Sequence, residues 1–286
     1  MIPSAFDYVA PTTVDEAIQA LSQAGDDAKV LAGGQSLVPV LRLRLAAPTM
    51  LVDLNKISEL RGVRDDGNAI VVGAMTTHHD VINDPLVREH AALLALATQT
   101  IGDPQIRHRG TLGGALVHAD PAGDLLAPVV ALDAEMVIVG PGGRRTVPAS
   151  EFFVDLFTTA VQPDEVLIEV RIPKKTGWGA HYEKFQRVAQ AWSIVAVAAA
   201  VRTEGGSIAE ARVALTNMAA TPVHATGVEQ ALVGQPATAE TIRAAAEHAA
   251  EGTSPMSDGN ADADYREHLA RVLTQRAVAS AAGLAA

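Results

Sequence analysis

Ala32-Gly33-Gly34-Gln35-Ser36 and Gly110-Thr111-Leu112-Gly113-Gly114 are the two stretches on which the reading of this 286-residue chain turns. Glycine admits φ > 0 and a close approach of backbone. A helix opening just after such a turn offers N–H groups and the positive end of its dipole to an anion. One such turn is commonplace between a strand and a helix. Two of them, in a chain without a GxGxxG fingerprint, point to one extended phosphate-bearing ligand held by main-chain amides from two directions. The site they imply is built differently from the Rossmann one.

Around the first turn, Thr13-Val14-Asp15-Glu16 is a capping box leading into a helix that closes near Gly25, and residues 28–31 form a short apolar strand. Ser36 to Leu41 reads as a short helix with Pro39 tolerated in its first turn, and residues 50–54 as the next strand. Residues 1–57 thus make a small β-α-β unit. The pattern restarts at Ala69 with a strand, a helix from Asp84-Pro85 toward Gln99, the second glycine turn, a helix over 124–132, and strands over 134–139 and 166–172. These fill a second α/β unit, 58–175. After the junction Lys174-Lys175-Thr176-Gly177, strand-like segments at 181–188, 192–201 and 208–218, the last two joined by Glu204-Gly205-Gly206-Ser207, predict an antiparallel meander. Residues 208–218 alternate as a half-solvated strand does, and 228–232, 239–250 and 265–281 read as helices on one sheet face. The third unit, 176–286, is α+β.

Composition narrows the function. There are 33 acidic and 22 basic residues, a formal charge of −11, and no long basic stripe interleaved with aromatics, which argues against nucleic acid as a partner. Cysteine is absent, so the chain holds no disulfide, no cysteine nucleophile and no cysteine-ligated iron–sulfur cluster. Met1-Ile2-Pro3-Ser4-Ala5-Phe6 lacks the form of a secretory leader. The longest strongly apolar run, near 191–201, is short of the roughly 20 residues a membrane span needs. The expectation is a cytoplasmic protein without a transmembrane segment.

Individual residues leave alternatives open. In the first loop, Gly33 and Gly34 offer amides and Gln35 and Ser36 side-chain donors, or Ser36 simply caps a helix. Asp124 is an acceptor for a ribose hydroxyl or an adenine amino group, or else the N-cap of the helix after it. Lys184 either reaches a phosphate or an electron-rich ring or is solvated, and Tyr182 and Trp192 pack in the core or touch a flat cofactor. His78, His79 and His108 have no HExxH and no carboxylate set beside them, and so read as capping, packing or solvated histidines rather than metal ligands.

Val30-Leu31-Ala32-Gly33-Gly34-Gln35-Ser36-Leu37 together with Thr111-Leu112-Gly113-Gly114 resembles the FAD-binding medium subunit of the molybdenum hydroxylases. Within that xanthine oxidase-type family it is most similar to the carbon monoxide dehydrogenase branch, over essentially the whole chain. The resemblance implies a PCMH-type FAD-binding fold of two α/β subdomains followed by the C-terminal sheet and helices. It also implies that Ala32, Gly33, Gly34, Gln35, Ser36 and Leu37 wrap the FAD pyrophosphate and that Ile101, Gly102, Thr111 and Gly114 line a second wall. Asp124 would lie near the adenosine ribose, with Leu167 and Lys184 approaching the cofactor from the middle and C-terminal domains. The chain departs from the family pattern at Ala115, where members often carry Asn, and at Gln190-Ala191, where Gly-Asp often precedes the aromatic.

The mechanism implied by the resemblance is a relay. A large subunit with molybdenum-pterin oxidises substrate, two [2Fe–2S] clusters in a small subunit pass electrons to FAD in this chain, and an external acceptor such as a quinone takes them away. The implied assembly is a dimer of heterotrimers, cytoplasmic or held at the inner face of the membrane through its acceptor, with no side chain of this subunit catalytic. Two alternatives stand beside carbon monoxide oxidation: a medium subunit serving an aromatic or N-heterocyclic substrate, and a flavin-free assembly subunit that kept the fold. A free-standing FAD oxidase lacks a visible electron-entry module.

Overall fold

Thr13 and Glu16 close the expected capping box, each side chain bonding the other's backbone N–H, and launch the helix Val14–Ala24, which Gly25 ends at φ 72°. This computed structural model describes residues 2–284; Met1, and with it the first residue of the leader reading, and residues 285–286 lie outside the described residues. The helix covers a three-stranded parallel sheet in which Met50–Asp53 lies between Asp7–Val9 and Ala28–Leu31. Asp7–Val9 was not legible as a strand, because three residues with an exposed tip carry no periodicity.

The second unit is built on five antiparallel strands in the order Val63–Asp66, Ala69–Gly73, Val166–Pro173, Glu135–Gly140, Gly143–Pro148. The single helix expected from Asp84 to Gln99 is two. Asp84 caps Pro85–His90, its carboxylate accepting from Leu86 and Val87, and the backbone breaks at Ala91 (φ −141°) before Ala92–Gln99. Asp124 does not cap the next helix, Leu126–Ala131, whose N-terminus has no side-chain cap.

The C-terminal meander forms as read: Gly179–Phe185, Val195–Glu204 and Ser207–Thr216 pair in order, with Val223–His224 added at the edge. Gly205 and Gly206, at φ 56° and 81°, supply the left-handed turn between the two long strands. The expected half-solvated strand is buried on both faces over its second half. Ala196, Ala198, Ala200 and Ala214 join the core of the second unit, under Leu126–Ala131. Val195, Val197, Val213 and Leu215 join a separate core under Thr226–Leu232 and the long helix Ala263–Ala281. The sheet is therefore a middle layer, and alternation of size replaces alternation of polarity along it.

Candidate functional site

The strand Ala28–Leu31 delivers the first glycine loop to the mouth of a cleft of about 730 Å³, and the helix Leu37–Arg42 carries the chain away. Ala32, Gly33, Gly34, Gln35, Ser36 and Leu37 all line this cleft, joined by Thr111, Gly114 and Leu167. Among the described residues, the backbone N–H groups of Gly33, Gly34, Gln35, Ser36 and Leu37 have no protein acceptor. Ser36 makes no cap, and Gln35 folds its amide back onto the Gly33 carbonyl at 3.1 Å. Five unmet donors in one half-buried turn form a concave cradle for an anion.

The second loop does different work. Its amides are spent inside the protein: Gly110 on Ile106, Leu112 on Thr76, Gly113 on Ala74, and Gly114 on the Thr111 hydroxyl. Thr111 thereby caps the helix Leu112–His118. The two loops also pack directly on each other. A β-carbon on Gly33 would overlap the Arg109 carbonyl oxygen and lie 2.7 Å from Gly110 Cα, and one on Gly114 would meet Ala32 Cβ at 3.2 Å. The expected grip by amides from two directions is thus a cradle on one side and a buttress on the other.

Gly102 and Lys184 line a second, more polar cleft of about 640 Å³, with Arg107, Gln186 and Gln190. Ile101 lies beside it, its carbonyl accepting from Arg107 at 2.7 Å. Asp124 faces neither cleft. It is buried, with Lys184 Nζ 2.8 Å from one carboxylate oxygen while Tyr182 OH and Ser193 Oγ donate to the other at 2.9 and 2.8 Å. Lys184 also donates to the Thr100 carbonyl at 3.3 Å. Burial pushes the Asp124 carboxyl up from 3.8, against the pull of the Lys184 ammonium and the two hydroxyls. Burial and the neighbouring Asp124 charge hold the Tyr182 phenol well above its ordinary range, so it stays a donor. This hub ties the loop before Leu126–Ala131 to the edge strand Gly179–Phe185 and to the segment after it.

Sequence reading missed Tyr182 and Ser193 as partners of Asp124, since they lie 58 and 69 residues away and no local pattern announces the meeting. It also missed Phe157, Gln162 and Glu165, which close the first cleft from the loop before Val166–Pro173. Trp192 is largely exposed rather than packed. Among the described residues no helix is long and apolar enough to cross a membrane, and no group of three His, Cys, Asp or Glu is placed to hold a metal ion.

The residues of the first cleft fit FAD: the unmet amides of residues 33–37 are donors of the kind a pyrophosphate accepts from, and Val40, Leu54, Met75 and Val166 add apolar lining to the same cleft. Comparison with known proteins reaches the same group. Residues 4–175 match the FAD binding domain in molybdopterin dehydrogenase, and residues 180–281 match the CO dehydrogenase flavoprotein C-terminal domain. The chain is 43% identical over 284 residues to the carbon monoxide dehydrogenase medium chain of Hydrogenophaga pseudoflava, covering 98% of each. It superposes on a solved structure of that organism's carbon monoxide dehydrogenase with a TM-score of 0.96 at 44% identity, over 100% of both chains. On quinoline 2-oxidoreductase from Pseudomonas putida 86 it superposes with a TM-score of 0.94 at 35% identity, over 99% of both. With the cradle, the hub and the three-layer fold in place, the chain belongs to the family of FAD-binding medium subunits of the molybdenum hydroxylases.

Proposed function

We propose that this chain is the FAD-carrying electron-transfer subunit of an aerobic, molybdenum-dependent carbon monoxide dehydrogenase. In this reading it takes up electrons from [2Fe–2S] clusters of a small subunit, while a large molybdenum-pterin subunit oxidises the gas, in a dimer of heterotrimers. An external acceptor such as a quinone then relieves it of them. The observation that carries the reading is the run of five unpartnered amides over residues 33–37, in a chain matched end to end by a carbon monoxide dehydrogenase medium chain. Bound FAD would supply a redox centre able to accept and release electrons singly or in pairs. The protein's part is positioning: residues 32–37 hold the pyrophosphate, and Thr111 and Gly114 support that loop from behind. Leu167 gives an apolar wall, and Ile101, Gly102 and Lys184 meet the cofactor beyond it. Asp124 belongs to this set through Lys184, whose ammonium it fixes. Absence of cysteine agrees with clusters housed elsewhere.

The likeness to quinoline 2-oxidoreductase supports a second reading, the same relay serving an N-heterocyclic substrate. Co-expression with the neighbouring large and small subunits, release of flavin from the purified complex, and absorbance during anaerobic exposure to carbon monoxide test both. One FAD per chain that bleaches under carbon monoxide supports the first reading. Bleaching by quinoline-type compounds alone selects the second. A complex that assembles without flavin, even after reconstitution, overturns both and leaves an assembly subunit.

A further inference from the structure

The histidine at the start of the helix His78–Asn83 has no part in the relay, yet it sits in the wall of the first cleft. Its side chain packs under the second glycine loop while bordering the cleft. The His78 backbone N–H donates to the Gly110 carbonyl at 2.9 Å, and a β-carbon on Gly110 would come within 2.7 Å of His78 Cδ2 and 2.9 Å of Nε2. Glycine at 110 is what leaves room for the ring. Among the described residues, imidazole Nδ1 is buried with no partner and Nε2 has none either, Nε2 lying beside Gly110, and both residues border the cleft. Burial, with the charge of Arg107 adding, lowers this histidine to about 4, so the ring is neutral and carries one proton. An N–H enclosed without an acceptor is the costlier orphan, which places that proton on Nε2 rather than on the fully buried Nδ1.

We propose that His78 is an additional FAD-binding residue, whose uncharged imidazole donates from Nε2 to a phosphate or sugar oxygen of the dinucleotide. The proposal rests on the FAD reading of the first cleft and goes beyond the residues assigned to it. A neutral donor suits this place: it adds direction to the grip of the amides without adding charge beside Arg107, whose guanidinium is already engaged with the Ile101 carbonyl.

Titration of the flavin-depleted full-length chain with FAD, followed by fluorescence quenching, tests it. His78→Phe keeps a planar ring and removes the donor, and is expected to weaken FAD binding about tenfold. His78→Gln, which restores an N–H near the same reach, is expected to stay within about threefold of the parent. Equal affinity of His78→Phe and the parent, with matching melting temperatures, overturns the proposal while leaving the cofactor assignment intact. A parent chain that binds no FAD overturns both. Should His78→Phe fold poorly, nitrogen-15 NMR of the parent decides: the Nε2 signal of His78 shifts on FAD addition if the bond forms, and an unmoved signal refutes it.

Discussion

Gly33 and Gly34 are adjacent and glycine for different reasons. Gly34 occupies φ +75°, a region an L side chain enters only with strain, whereas Gly33 has ordinary torsions but no space beside the Arg109 carbonyl. Gly33→Ala should therefore part the two loops, costing on the order of 2–3 kcal/mol of stability and most of the bound FAD. Gly67, at φ +70° with open space around it and distant from the cleft, is the matched control. Gly67→Ala should cost about 1 kcal/mol with full FAD occupancy. Thermal melts and released-flavin assays on both variants check the contrast; similar FAD loss from the two would refute it. The glycine pair was legible because its chemistry is local. Asp124 was not, because its meaning depends on Tyr182, Lys184 and Ser193 arriving from another sheet. Gln190 is a middle case: the family often has glycine there, and this chain holds Gln190 at φ +67°, keeping the glycine backbone without the glycine. Gln190→Gly should raise stability by up to about 1 kcal/mol in a thermal melt, and a fall would mean the side chain is anchored in the second cleft it borders.

Elements with their own signals were read correctly: the capped helix Val14–Ala24, the Gly205-Gly206 hairpin, the long C-terminal helix. Those defined by neighbours were not, as the break at Ala91 and the doubly buried strand Ser207–Thr216 illustrate. One neighbour-defined contact has a pH signature. His224, on the edge strand, donates from Nε2 to Glu229 on Thr226–Leu232 at 2.7 Å, and the same carboxylate oxygen accepts the Val213 N–H at 2.7 Å. Glu229, with Asp133 adding, lifts the imidazole above its ordinary 6.5 despite partial burial and the opposing Arg212 charge. Protonated imidazole is favoured by folding, so this contribution is full below about pH 6.5 and fades as pH rises through the higher folded value. The half-exposed site is screened, so melting temperature should fall by about 1–2 °C across that window. His224→Gln should flatten the fall, and an unchanged slope would refute the assignment.

At the scale of the molecule, the middle core shares the five-stranded sheet with one neighbouring core and the four-stranded sheet with the other, and the first cleft lies between residues 28–54 and 74–167. The aromatic-poor, alanine-rich composition finds its reason here. Along Val195–Glu204, alanines at 196, 198 and 200 let Leu126–Ala131 approach closely, while valines at 195, 197 and 201 fill the opposite core. Ala198→Leu should overpack the side toward the second unit and cost about 1–3 kcal/mol. Limited proteolysis should then cut first near the junction at 174–177, and a digestion pattern like the parent's would show that the interface accommodates the larger residue. Sequence periodicity could not reveal this arrangement, because a binary apolar/polar pattern counts alanine and valine alike.

The strand Val195–Glu204 also sets how freely such a subunit can be recombined. Its odd and even positions answer to different cores, so the boundary between the two matched families at residues 175–180 is a seam in sequence but not in packing. A grafted C-terminal half would have to meet Leu126–Ala131 with a face that this chain fills with Ala196, Ala198, Ala200 and Ala214. Chimeras cut at that seam should inherit stability only when the helix Leu126–Ala131 travels with the sheet it was fitted to, which makes the exchangeable module larger than the domain.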